Sequence, residues 1–176
     1  VLEPFLLINT NENMLAFANG QPIPHIINNI FVPTFGMVGG TGSTISLLIA
    51  IFIFSRQKSA KQVARLSLAP GLFNINEPVI FGLPIVFNLP LMIPFVLLPA
   101  IGIYFAWLCT TLGLMSRCVV MIPWTTPPIL SAWLATAGDW RAVVVQLAII
   151  VFGVFFYLPF LKVAERVALK NSGTEH

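Results

Sequence analysis

The chain has 176 residues, 57% of them hydrophobic and 9% charged, and a mean hydropathy of +0.92. A soluble domain is about one-quarter charged, so the composition excludes an ordinary soluble fold and implies an integral membrane protein or a piece of one. The formal net charge of +3 is too small to suggest a nucleic-acid partner, and the cations read instead as topology markers in a lipid bilayer.

The 14 prolines and 12 glycines argue for broken or re-entrant segments rather than straight spans. The chain opens on Val1, Leu2, Glu3 and Pro4 with neither a basic n-region nor a small-residue cleavage site. No signal peptide is therefore expected, and the sequence reads as beginning inside a larger protein. Residues 1–24 carry Asn9, Asn11, Glu12, Asn13, Asn19 and Gln21 among short apolar patches, then Pro22 and Pro24. They are expected to form an extramembrane or interfacial loop with one amphipathic turn. His25 reads as an interfacial or capping residue, since no partner stands near it in sequence.

From Ile26 to Phe54 the chain is nearly uncharged but is punctuated by Pro33, Gly36, Gly39, Gly40 and Gly42. The run Gly39-Gly-Thr-Gly-Ser-Thr44 invites comparison with a phosphate-binding loop, yet it lacks the lysine and the preceding strand. Two readings stay open: small residues for close helix packing, or backbone contact with a ligand at Gly40 and Thr41. Thr41 to Phe54 continues as the inner part of a span that ends at Ser55. Arg56, Lys58, Lys61 and Arg65 follow without an acid among them, which predicts a cytoplasmic loop. The same cluster suits an anionic-lipid or partner-docking patch.

Leu66 to Asn88 is cut by Pro70, Gly71, Pro78, Gly82 and Pro84, too finely for one spanning helix. A re-entrant hairpin entering and leaving on the cytoplasmic side is expected. At its centre lie Asn74, Asn76, Glu77 and Pro78. Proline biases the residue before it away from the helical region but is favoured in a helix's first turn. Glu77 should therefore sit where a helix restarts, facing the positive end of its dipole. A carboxylate at bilayer depth costs roughly 2.5–3.5 kcal/mol on insertion scales, and broken helices of transporters turn polar groups toward a cavity. Glu77, Asn76 and Asn74 offer donors and acceptors suited to hydroxyl groups. A structural reading stands beside this one, with Glu77 as a buried acid satisfied by backbone amides.

Leu89 to Leu112 is the cleanest span, about 36 Å of helix, bent in its first half by Pro90, Pro94 and Pro99. Arg117 marks an outer loop. Pro123-Trp-Thr-Thr-Pro-Pro128 repeats the logic of the glutamate segment, with Thr126 typed as the N-cap of a helix beginning at Pro127. Residues 119–137 are expected to form a second broken hairpin. At its end Asp139 and Arg141 are expected to pair at the interface, with Trp140 in the aromatic belt. Trp124 reads either as an indole face for a sugar ring or as an interfacial anchor. Ala142 to Leu161 is the last span, and Lys162, Arg166 and Lys170 place the tail, residues 162–176, in the cytoplasm. Cys109 and Cys118 read as buried free thiols.

The expected architecture is an all-α polytopic membrane protein, a single domain over residues 1–176, with about three full transmembrane helices and two re-entrant, proline-broken helical hairpins. The sequence has no paired aspartates, no His-Glu-x-x-His helix and no serine with a histidine placed to activate it. Neither a metal nor a cofactor is expected.

On Gly71-Leu-Phe-Asn-Ile-Asn-Glu-Pro-Val-Ile-Phe-Gly82-Leu-Pro-Ile-Val and Pro123-Trp-Thr-Thr-Pro-Pro128, with Gly39-Gly-Thr-Gly-Ser-Thr44 in support, the chain resembles a known family. It is similar to enzyme IIC, the sugar-transporting membrane subunit of the bacterial phosphotransferase system, in its lactose, cellobiose and diacetylchitobiose group. The resemblance implies the carboxyl-terminal, substrate-binding part of such a subunit. It implies a permease that moves a β-linked disaccharide across the cytoplasmic membrane and presents it to a phosphorylated IIB partner, charged in turn by IIA, for phosphorylation at the 6-hydroxyl. No residue of the chain would itself transfer the phosphoryl group. Glu77 would match the family glutamate that positions the sugar near the reactive hydroxyl, with Asn76 beside it and Trp124 lining the same pocket. Asn74, Thr125, Thr126, Gly40 and Thr41 complete the candidate substrate contacts.

The full-length protein is expected to be a homodimer. A family histidine would lie before Val1, and His25 does not match it, so this piece alone is expected neither to assemble normally nor to transport. Two other readings compete. One is a structural or regulatory membrane subunit, or a truncated fragment without transport activity. The other is an intramembrane enzyme using Glu77, for which the sequence offers no second catalytic group.

Overall fold

The computed structural model describes residues 2–172, and among them every regular element is helical. Two helices are long and apolar enough to cross a membrane: Leu89–Thr111 and the first 29 residues of Trp140–Ser172. In chain order the elements are α1 (Glu3–Ala18), α2 (Phe31–Gly36), α3 (Thr44–Phe54), α4 (Lys58–Leu72), α5 (Glu77–Gly82), α6 (Leu89–Thr111), α7 (Leu130–Ala135) and α8 (Trp140–Ser172), with a 3-10 turn at Ile85–Phe87.

The long helices α6 and α8 run antiparallel and share two apolar cores. At one end Leu91 and Leu98 of α6 meet Val154, Tyr157 and Leu161 of α8, with Leu47, Leu48 and Ile51 of α3 and Ala60 and Ala64 of α4. At the other end Ala106 and Cys109 of α6 meet Ala142, Val145 and Ile149 of α8, with Phe31 and Phe35 of α2 and Ala132 of α7. Small residues let the backbones approach. A Cβ on Gly102 would stand 2.6 Å from the Phe35 carbonyl oxygen, and one on Gly153 would stand 2.5 Å from the Ser46 hydroxyl.

Several segments differ from the sequence-based expectation. The expected N-terminal loop is a 16-residue helix, α1. Its asparagines bond to chain that returns from elsewhere: Asn9 donates to the Ile27 carbonyl at 3.0 Å, and Asn13 to the carbonyls of His25 at 2.8 Å and Cys118 at 3.1 Å. His25, read as an interfacial or capping residue, pairs with Glu12, 13 positions before it. The expected basic loop is helical from Lys58 onward. Ala60, Ala64, Ser67 and Gly71 make a buried stripe of small residues along α4 while the cations take other faces. The stretch from Ile26 to Phe54 is two helices, α2 and α3, separated by a turn in which Gly39, Gly40, Gly42 and Ser43 all have positive φ.

In the second expected hairpin, α7 starts at Leu130 and not at Pro127. The Thr126 hydroxyl bonds the Pro123 carbonyl at 2.7 Å instead of capping a helix. The last helix runs unbroken into the expected tail, of which residues 173–176 lie outside the described residues, as does Val1.

No Asp139 to Arg141 ion pair forms among the described residues. Asp139 stands at the start of α8 and accepts the Arg141 amide at 2.9 Å and the Ser116 amide at 2.7 Å. Partial burial pushes its carboxyl up, but those bonds, helped by the Arg141 charge, bring it below its ordinary value. The folded state therefore favours the ionised form. The stability this adds is complete above the unfolded carboxylate value, about 3.9, and is lost as pH falls through the lower folded value. Asp139→Ala should lower stability by about 1 kcal/mol at neutral pH. The gap from the parent should narrow as unfolding is followed into acid, whereas a gap independent of pH would contradict the capping role.

Candidate functional site

Three polar breaks, far apart in sequence, meet at one place, and the side chain that joins them is Asn74. Its φ is +61°, a left-handed conformation that asparagine tolerates better than most residues. From there its Oδ1 accepts the Gly39 amide at 2.9 Å, while its Nδ2 donates to the carbonyls of Trp124 at 2.6 Å and Thr126 at 3.1 Å. One carboxamide thus binds the glycine turn, the glutamate segment and the tryptophan segment together. Asn76 is buried and donates to the Thr41 carbonyl at 2.7 Å.

The glycine turn is shaped for this approach. Gly40 has a φ of +99°, and a Cβ there would lie 2.7 Å from Asn76 Cγ and 2.9 Å from the Asn74 carbonyl oxygen. The Gly42 carbonyl accepts the buried Tyr157 hydroxyl at 2.7 Å, which fastens the turn to α8. Of the two readings of this run, the geometry at Gly40 matches close packing.

Beside this junction lies a cavity of about 670 Å³, walled among others by Thr34, Asn74, Pro123, Trp124, Thr126 and Gln146, with Glu3 and Asn29 also on its surface. Its volume falls within the roughly 300–1,000 Å³ of small-molecule pockets. Trp124 is 65% exposed, leaving its ring open to a ligand. The candidate set is therefore divided. Asn74, Trp124 and Thr126 line the cavity, whereas Asn76, Glu77, Gly40, Thr41 and Thr125 do not. Glu77 begins α5, is exposed, and has no hydrogen-bond partner among the described residues. The amides of Val79 and Ile80 in the same turn go to the Asn76 carbonyl, each at 3.0 Å, and not to the carboxylate.

Gln146 was not singled out from sequence. It is 1% exposed within α8, its Nε2 donates to the Thr34 carbonyl at 2.7 Å and the Ser131 hydroxyl at 2.9 Å, and its Oε1 accepts the Ile129 amide at 2.5 Å. That last bond steadies Ile129 at a φ of +77°, unusual for a β-branched residue. Its signal in the sequence is a lone carboxamide in an apolar span.

The sequence profile of the family described as "Phosphotransferase system, EIIC" matches residues 1–99. The cellobiose-specific EIIC component of Lactococcus lactis subsp. lactis (strain IL1403) is 43% identical over 151 residues, 81% of this chain and 31% of that protein. The lichenan permease IIC component of Bacillus subtilis (strain 168) is 34% identical over 172 residues, 97% of this chain and 38% of that protein. Among solved structures, the transporter ChbC, the IIC component of an N,N'-diacetylchitobiose-specific phosphotransferase system, superposes with a TM-score of 0.93 at 35% identity. That match covers 99% of this chain and 41% of ChbC. The chain thus spans between about a third and two-fifths of the length of these proteins.

Asn74→Asp keeps the acceptor for Gly39 but sets carboxylate oxygens against the carbonyls of Trp124 and Thr126. It should lower stability by about 2–3 kcal/mol. Hydrogen exchange should speed up in residues 121–128 while α6 and α8 stay protected. An unchanged exchange pattern would show that the tie does not hold the tryptophan segment.

Proposed function

The chain belongs to the phosphotransferase system EIIC family, and on that premise we propose that it is the substrate-binding part of a sugar permease. Its substrate is a β-linked disaccharide of the cellobiose, chitobiose or lactose type, moved across the bacterial cytoplasmic membrane for phosphorylation by a phosphorylated IIB partner that IIA charges. The observation that carries this reading is the convergence of the three polar breaks beside a cavity with an open tryptophan ring. An indole face stacks on the apolar face of a pyranose ring, and the surrounding polar groups bind hydroxyls.

The roles within the motif divide by what each side chain has left to give. Both amide protons of Asn74 are committed to main-chain carbonyls, and Asn76 donates to a third. These carboxamides hold the frame. Glu77 has no such commitment, so we assign the direct hydroxyl contact to its carboxylate, and the stacking contact to Trp124. Thr125, Thr126 and the Gly40 to Thr41 backbone complete the surroundings.

In the membrane, α6 and α8 are full crossings, and α2 with α3 makes a third in two pieces around the glycine turn. The α4 to α5 segment and residues 119–137 are the two re-entrant hairpins of a single domain. The carboxyl terminus is cytoplasmic, and the full-length protein is a homodimer. A structural or regulatory subunit is the second reading, favoured by the commitment of Asn74 and Asn76 to backbone.

Ligand titration separates the two. In the intact protein that carries this segment, Glu77→Gln should weaken cellobiose or diacetylchitobiose binding by about tenfold or more. Trp124→Ala should weaken it by up to about tenfold. Neither should move the melting temperature of the ligand-free protein, because both side chains are exposed. Unaltered affinity in both variants would leave the structural reading.

A further inference from the structure

The two ends of the bundle differ in charge. Where α6 ends and α8 begins, Arg117 and Arg141 are accompanied by Asp139 and by Glu12 of α1, and the side chain of Arg117 is spent on the Ile23 carbonyl. Where α3 ends and α8 nears its finish, Arg56, Lys58, Lys61 and Arg65 gather with Lys162 and Arg166. Glu165 is the acid among them, and it accepts the Ser55 hydroxyl. Between α4 and α8 lies a crevice of about 230 Å³, lined by Ser59, Ala60 and Val63 of α4 and Leu161, Ala164 and Glu165 of α8, and the cations lie outside its lining.

The order of residues along α4 matters as much as the number of charges. Lys58, Lys61, Arg65, Leu68 and Leu72 recur at alternating three- and four-residue steps and so share one face. That face is distinct from the buried stripe of Ala60, Ala64, Ser67 and Gly71. Cations occupy its first two turns and exposed leucines its last two, with Leu68 at 38% and Leu72 at 43% exposure. A helix lying flat at an interface separates apolar and charged residues around its circumference. Here they are separated along its length, as in a helix that enters an apolar layer end-on with its charged end at the headgroups.

Given the membrane placement proposed above, we propose that the first two turns of α4, with Lys162 and Arg166 of α8, bind the phosphate headgroups of anionic lipids. The leucines of the same face then lie along the acyl chains. Clusters of four to eight juxtamembrane cations attract anionic lipid with a gain of about fivefold per cation.

The test counts phosphatidylglycerol and phosphatidylcholine retained by the intact protein in mixed micelles, using native mass spectrometry. The parent should prefer phosphatidylglycerol by at least about tenfold, and added salt should erode that preference. The triple variant Lys58→Gln, Lys61→Gln, Arg65→Gln should lose most of it while keeping its melting temperature and disaccharide affinity. Salt dependence in the parent needs no variant, so a misfolded triple variant leaves the test intact. Equal retention of the two lipids would overturn the proposal without touching the sugar-binding reading. So would displacement of lipid by millimolar inorganic phosphate, which would mark a free-phosphate site. A triple variant that keeps its lipid preference but loses IIB-dependent sugar phosphorylation would assign the surface to a protein partner and likewise overturn it.

Discussion

A helix that breaks in apolar surroundings leaves main-chain N–H and C=O groups that no water reaches, and each must find a partner within the protein. In this chain the partner is repeatedly a side-chain carboxamide. Asn74 serves the Gly39 amide and the carbonyls of Trp124 and Thr126. Gln146 serves Thr34 and Ile129. Asn28 accepts the amides of Ile30 and Phe31 at the start of α2 and donates to the Cys118 carbonyl, which Asn13 also reaches. A carboxamide suits this work because it donates and accepts at once and carries no charge to desolvate. The fold can thus break its helices three times near one cavity while these main-chain groups keep partners.

The same economy shapes the glycine turn. Close approach of Asn76 to Gly40 and of Tyr157 to Gly42 requires a main chain without side chains in the way. Phe95 stands so near Gly42 that a Cβ there would fall 2.2 Å from its ring. The turn is therefore closely packed at Gly39, Gly40 and Gly42, while Thr41 is exposed. It also fixes the position of Asn74 and, through Asn74, the tryptophan segment.

How much of this could be read from residues depends on how far away the deciding partner stands. The long spans and the positions of the breaks follow from apolar runs and from Pro78, Pro123 and the glycines, all of which act on their immediate neighbours. The convergence of the glycine, glutamate and tryptophan segments could be suspected from their shared character, but not the bond that makes it. Asn74 and Trp124 are 50 positions apart. The helicity of α1 was hidden for the same reason, since Asn13 is satisfied by Cys118, 105 positions on. The start of α7 was misplaced because Thr126 and Pro127 have the local form of a helix start, whereas Gln146 holds Ile129 in a conformation no local rule anticipates. In α4 the period of small residues at Ala60, Ala64, Ser67 and Gly71 signals a buried helical face, but the cations between them read as a loop, whether for topology or for an anionic-lipid or partner-docking patch.

What distinguishes Glu77 is that none of these devices is spent on it. A carboxylate at a helix start ordinarily takes the free amides of the first turn. Here Pro78 has no amide to give, and the amides of Val79 and Ile80 already bond the Asn76 carbonyl. The helix it begins is only six residues long, so its dipole offers little beyond those amides. Of its two neighbours in the motif, Asn74 has both amide protons turned to other backbone and Asn76 has one, and neither bonds it. An acid in that position is satisfied from outside the described residues, and hydroxyl donors of a bound molecule are suited to the task. A sugar supplies such donors in quantity, and the frame whose donors among the described residues go elsewhere than Glu77 is the same one that holds Trp124 against the cavity.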